Sequence, residues 1–255
     1  MAAIRRKGVS CIYKMNDFIS EYRNLDRTIR EEYLRLDLKC LSEVKFDDEH
    51  PLSFFTHKLD NIKPINSFHS LKNYTELSFI SDDLKYYTAL TYLLLPYIND
   101  PIKENMTYRQ TLEDKRYLSY SNILFQLFYN YWDRIGDLLY CFLETALKER
   151  DVYFNKVLQN LNGETKNSKY YKTLNKLYME KLPDLLRKRK DIVHYSQLAS
   201  DIYVGTFINY NDTEKLEEAQ KTKESFPALF KQHIEYTFIG FELAIKLINE
   251  KGTRK

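Results

Sequence analysis

The sequence predicts an all-α protein. Three observations carry this: only six Gly and six Pro occur in 255 residues, apolar residues recur at helical spacing over several long stretches, and capping or breaking residues bound those stretches. Gly and Pro fall below their usual ~7% and ~5%, which argues against a β-sandwich full of tight turns. With 44% hydrophobic residues, the chain can bury the core of one large domain or two small ones.

Phe18, Ile19, Tyr22, Leu25, Ile29, Tyr33, Leu36 and Cys40 predict an amphipathic first helix. From Phe46 to Phe79, three His, two Pro and several Ser and Asn interrupt the pattern and predict a loop-rich connection. Ser81, followed by Asp82 and Asp83, reads as the N-cap of a helix that stops near Asn99 and Pro101. The strongest stripe runs through Leu124, Phe128, Tyr131, Ile135, Leu138 and Phe142 and predicts a long core helix over residues 121–150. A polar break over 160–168 leads to a helix over 170–181. Pro183 then either kinks that helix or opens a new one at its first position. Beyond Tyr195 periodicity fades, and the charged run 214–224 reads as a surface excursion. A last helix is expected after Pro227, ending near Gly252. Such helices with polar connections make a bundle.

No apolar run reaches the ~18 residues that a membrane helix needs, and residues 87–98 are interrupted by two Thr and Pro96. The basic residues Arg5, Arg6 and Lys7 are not followed by the apolar core of a signal peptide. Cys11, Cys40 and Cys141 fit neither a disulfide framework nor a C-x-x-C motif. These features together point to a soluble, cytoplasmic protein without a membrane partner. A net charge of +3 does not by itself mark a nucleic-acid binder, so contact with RNA would have to come from a local patch.

Chemistry concentrates in residues 182–195. On a helix, Leu182, Leu185, Leu186, Ile192 and Val193 share one side, and Arg189 falls within their stripe. A permanent charge among apolar side chains needs a partner or a wet cleft. Arg187, Lys188 and Lys190 lie off the stripe and form a basic, solvated face. The plain alternative is that Arg189 pairs with a carboxylate of the bundle and His194 is an ordinary surface residue.

This stretch resembles the ribonuclease members of the HEPN superfamily, which carry an Arg, four to six residues, then a His near the end of a core helix. Arg189 and His194 match with four intervening residues, and Arg187 and His194 with six. Lys190 stands where the commonest form has Asn, Asp or His. The resemblance spans residues 119–251, giving an expected division into an N-terminal helical extension, 1–118, and a HEPN-like bundle, 119–255. It implies metal-independent cleavage of single-stranded RNA, with no cofactor, by attack of a ribose 2′-OH on the adjacent phosphate. His194 would exchange the proton and Arg189 would hold the phosphate, with Arg187, Lys190 and Tyr195 in support. It further implies a homodimer with a shared cleft, in a toxin–antitoxin or phage-defence setting where a partner protein restrains or triggers the enzyme. The rival expectation is an inactive HEPN-like scaffold for dimerisation or for RNA or protein binding. Control by adenylylation fits poorly, because such members carry Tyr two positions after the His and Ser196 stands there.

On the core helix, Asp133 and Asp137 are expected to lie largely opposite the apolar stripe, on a solvated face, with Arg134 at its flank. Arg134 or Asp137 could reach the shared cleft from there. His50, His57 and His69 follow no zinc spacing, and no Gly-rich phosphate loop, G-x-S-x-G or H-E-x-x-H occurs.

Overall fold

The computed structural model describes the backbone of residues 3–66, 70–100, 111–194 and 197–254, with side chains from residue 17 onward. Among the described residues it is all-α, with ten α-helices, three short 3-10 turns and isolated bridges in place of strands. The chain forms two compact units, residues 1–38 and 39–255. The expected division at 118/119 falls inside a helix.

The first unit is essentially one helix, α1 (Ala3–Leu36). It begins upstream of the apolar stripe that predicts it. It ends at Asp37, which adopts φ 47°, a left-handed turn that lets the Leu38 N–H reach the Tyr33 carbonyl at 2.9 Å. Cys40 therefore lies outside the helix.

In the second unit, the stretch expected to be loop-rich contains α2 (Pro51–Leu59) and the start of α3 (Ser70–Leu94). Pro51 occupies the first helical position, where its missing N–H is harmless, and His50 accepts the Leu52 N–H as cap. Ser81 is not a cap. It sits fully buried inside α3, where its hydroxyl accepts the Leu41 N–H at 2.7 Å.

The core helix is α4 (Leu112–Phe142), which starts nine residues before the expected 121 and stops eight before 150. Thr111 caps it by accepting the Asp114 N–H at 3.1 Å. Short helices α5 (Phe154–Asn160) and α6 (Gly163–Lys166) precede α7 (Lys169–Lys181), capped by Ser168. Pro183 opens a new helix, α8 (Pro183–His194). The region expected to be irregular folds as α9 (Leu198–Ile208) and the first third of α10 (Thr213–Lys251).

Helix α4 is the centre of this unit and packs against α3, α5, α8, α9 and α10. Two glycines set its closest approaches. A Cβ on Gly136 would stand 2.8 Å from the Phe154 Cα, and one on Gly240 of α10 would collide with the Trp132 ring. Without these glycines neither α5 nor α10 could lie so near α4.

Helix α10 continues past Pro227, which lies inside it. Proline cannot donate to the carbonyl four residues back, that of Lys223. The Tyr117 hydroxyl of α4 takes over, donating to that carbonyl at 2.5 Å. The Lys223 ammonium is itself buried, 3.2 Å from Asp114, with side chains 1% and 0% exposed. It also donates to the Asn99 carbonyl, while Asp114 accepts the Asn99 N–H at 3.2 Å.

Removing one member of such a pair leaves the other charge buried and uncompensated. Lys223→Met is therefore expected to destabilise the protein by ~3–5 kcal/mol, and Lys223→Met with Asp114→Leu to recover much of that loss. Urea denaturation of the single and double variants checks it. A single variant within ~1 kcal/mol of the parent would show that the pair does not hold α4 to α10.

Candidate functional site

Helix α8 is anchored by Leu182 and Leu185, which are 0% and 1% exposed. One turn past Leu185 the same side presents Arg189, which is half-buried against α4. Its Nε donates to the Gln126 Oε1 at 3.1 Å, and its guanidinium carbon lies 3.8 Å from the centre of the Tyr129 ring. Both partners are neutral. Among the described residues no carboxylate forms an ion pair with Arg189, so the expected alternative of a bundle carboxylate is not what holds it.

Arg189, Lys190 and His194 line one cavity of about 310 Å³, together with Tyr129, Trp132 and Asp133 of α4. Phe154, Asn155 and Tyr178 close its far side. On a straight helix Arg189 and His194 would stand roughly 140° apart and ~7.5 Å along the axis. Both nevertheless border the same space, which lies along the seam between α8 and α4. His194 and Lys190 are exposed at its rim.

Asp133 is not on a solvated face. It accepts the Phe154 N–H at 3.4 Å and a bond from the Tyr129 hydroxyl. Burial raises its pKa above the ordinary carboxylate value, while those two hydrogen bonds and the charges of Arg134 and Arg189 oppose the rise. The Tyr129 phenol is pushed up to about 12, by burial first and by the Asp133 charge second, with Arg189 pulling the other way. The site is thus a half-buried cation facing a half-buried anion across one phenol, with a histidine at the mouth.

The other sequence-predicted residues lie elsewhere. Arg187 is exposed and pairs with Asp184 at 3.0 Å, away from the cavity. Arg134 bridges Glu76 of α3 at 3.2 Å and Asp137 at 2.9 Å. Asp137 is only 5% exposed, and burial pushes it up to about 6 against the pull of Arg134. Neither borders the cavity. Tyr195 lies outside the described residues, as does His69. His50 is spent on capping α2, and His57 bonds Glu49 at 2.7 Å. Among the described residues no group of three or more His, Cys, Asp or Glu is placed to hold a metal ion.

Gln126, Tyr129, Asn155 and Tyr178 are members that the sequence did not single out, and Asp133 is one that it placed on a solvated face. Gln126, Tyr129 and Asp133 all lie on α4. Their spacing of three and four places them on one face of α4, but nothing local says that this face meets α8.

Residues 71–249 match the model of the Cthe2314-like HEPN family. No curated protein and no solved structure matches the chain. The family match runs from the first turn of α3 to the last turn of α10, well over half of the sequence, and includes every wall of the cavity. The chain belongs to the Cthe2314-like HEPN family.

Proposed function

We propose that this protein is a metal-independent endoribonuclease acting on single-stranded RNA, with Arg189 and His194 as its catalytic pair. The observation that carries the reading is the state of Arg189. A permanent charge is held half-buried by a neutral amide and an aromatic face, with no carboxylate in direct ion pair with it among the described residues, with Asp133 across the cavity and with His194 on the same lining. A phosphate is the natural counter-ion for such a group.

In the proposed reaction the ribose 2′-oxygen forms a bond to phosphorus and the bond to the 5′-oxygen breaks. The proton leaves the 2′-OH and ends on the 5′-oxygen. The imidazole of His194 has one ring nitrogen that can accept a proton and one that can donate it, so it can serve either transfer. The planar guanidinium stabilises the charge that accumulates on the phosphoryl oxygens. Lys190 at the rim adds a further cation for the RNA backbone, and Arg187 extends the basic face outside it.

One His194 per cavity supplies one proton-transfer group, whereas the reaction uses an acid and a base. A second copy of the chain would supply the other. An apolar stripe on α9, the helix that follows His194, supports this arrangement: Tyr203, Val204, Phe207 and Ile208 are 53%, 48%, 73% and 69% exposed. None of these four side chains is charged, and Asp201 stands at the edge of the stripe, so two copies can meet on its apolar part. HEPN domains often dimerise and bind RNA, which agrees. The toxin–antitoxin or phage-defence setting, with a restraining or triggering partner protein, is proposed from the family alone.

Replacing His194 with Ala is expected to lower cleavage ~10²- to 10⁴-fold with little change in RNA affinity. Arg189→Ala is expected to lower both, because it also loses a phosphate contact. Cleavage of a labelled single-stranded RNA, with binding measured in parallel, checks this. His194→Ala cutting as well as the parent would leave the scaffold reading in its place.

Activity is expected to survive EDTA and to leave 2′,3′-cyclic phosphate or 3′-phosphate ends. Activity lost in EDTA and restored by magnesium or manganese would reject the mechanism. Light scattering at micromolar concentration is expected to give a dimer, and Phe207→Glu with Ile208→Lys a monomer. A monomeric parent protein would remove the shared cleft.

A further inference from the structure

Catalysis as proposed uses only the α8 side of the cavity. The opposite side is built from groups that the phosphate chemistry leaves idle. At about 310 Å³, the space is at the low end of the ~300–1,000 Å³ of small-molecule sites, room for one nucleotide unit and no more. Its charges are segregated. Arg189, Lys190 and His194 occupy the α8 side, and Asp133 stands on the α4 side. A phosphate is drawn to the first and repelled by the second.

We propose that the α4 side is a base pocket for the nucleotide whose 2′-OH attacks, and that it selects guanine. The inference rests on the endoribonuclease reading and names the base at its cleavage site.

Single-stranded RNA is read by stacking on aromatic rings and by hydrogen bonds to the exposed base edges. Both components are present. Trp132 and Phe154, with ring centres 5.0 Å apart, are buried in the lining and back the half-buried Tyr178, which stands edge-on to Phe154 at 5.7 Å and offers the open aromatic surface. Tyr129 and Tyr178 are half-buried and keep part of each ring open. Asp133 is aimed in advance, since the Phe154 N–H at 3.4 Å and the Tyr129 hydroxyl fix its carboxylate.

An ionised carboxylate only accepts hydrogen bonds. The guanine edge offers it two adjacent donors, N1–H and the N2 amino group, which one carboxylate takes as a pair. The adenine and cytosine edges place a bare acceptor nitrogen beside their amino group, and uracil places carbonyls on both sides of its N–H. Each of these sets a lone pair against the second carboxylate oxygen. Asn155, half-buried next to Phe154 in the lining of the same cavity, can donate its amide to guanine O6. The Arg189 guanidinium over Tyr129 then holds the phosphate beside the seated base.

The protein carries its own probe, because Trp132 is its single Trp and lines the cavity. The full chain is titrated with 3′-GMP, 3′-AMP, 3′-CMP and 3′-UMP while Trp fluorescence is followed. A saturable change is expected, with 3′-GMP bound about tenfold or more tightly than the other three. Asp133→Asn should remove that preference while leaving 3′-UMP affinity within a few-fold of the parent. Should Asp133→Asn fail to fold, Asn155→Ala in the same cavity is read instead and should weaken 3′-GMP selectively. No fluorescence change at millimolar nucleotide, equal affinities for the four bases, or a guanine preference that survives the readable variant would overturn the proposal. Binding of 3′-GMP as described without RNA cleavage would leave the pocket standing and remove the endoribonuclease reading. Cleavage without guanine at the new 3′ ends would do the reverse.

Discussion

A lysine ammonium cannot be buried without a counter-charge, and the organisation of the larger unit follows from how Lys223 meets that demand. Its partner, Asp114, lies in the first turn of α4, where the exposed N–H groups of the helix already favour a carboxylate. Asn99 on the connection from α3 closes the triangle through its own N–H and carbonyl. The end of the α3 segment, the start of α4 and the first third of α10 are thereby tied at one point. One turn further along α10 is Pro227, whose missing hydrogen bond frees the Lys223 carbonyl that Tyr117 uses. A helix breaker is thus tolerated because a neighbouring helix supplies the donor that the proline removes.

With its N-terminus fixed there, α4 runs through the unit and presents different faces to different neighbours. Its apolar stripe is consumed by α3 and α10. Gly136 brings the start of α5 against it, and the Phe154 N–H reaches Asp133 for that reason. Leu182 and Leu185 seat α8 on the face that carries Gln126 and Tyr129. The polar cavity is what remains between these contacts. Its cations come from one helix and its anion from another, so its electrostatics are a property of the packing and of neither helix alone.

Much of this was legible in the sequence. The helical class, the central stripe of α4 and the helix expected over 170–181 rest on local periodicity and capping. Proline chemistry marks a break at Pro183 and leaves a kink or a new start open, and the family resemblance rests on the spacing of Arg187, Arg189 and His194. The misses share a physical cause. Pro51, Ser81 and Pro227 are residues that end helices when exposed, and each is tolerated here by a tertiary partner or a terminal position that no local window contains. The charged run 214–224 looks like a solvated loop, yet Lys223 within it is buried by a carboxylate 109 residues away. At the site, Arg189 stood out because its charge broke an apolar stripe. Tyr129 and Gln126 broke nothing, and Asp133 looked like ordinary surface until α5 was placed beside it.

The contact between Trp132 and Gly240 carries a consequence for how this chain can vary. The indole fills the space that any side chain at 240 would need, so neither position is free while the other is held. A bulkier residue at 240 requires a smaller one at 132, and a smaller one at 132 opens a void that 240 is placed to refill. For the purposes of descent the two positions behave as a single character, written in two places more than a hundred residues apart.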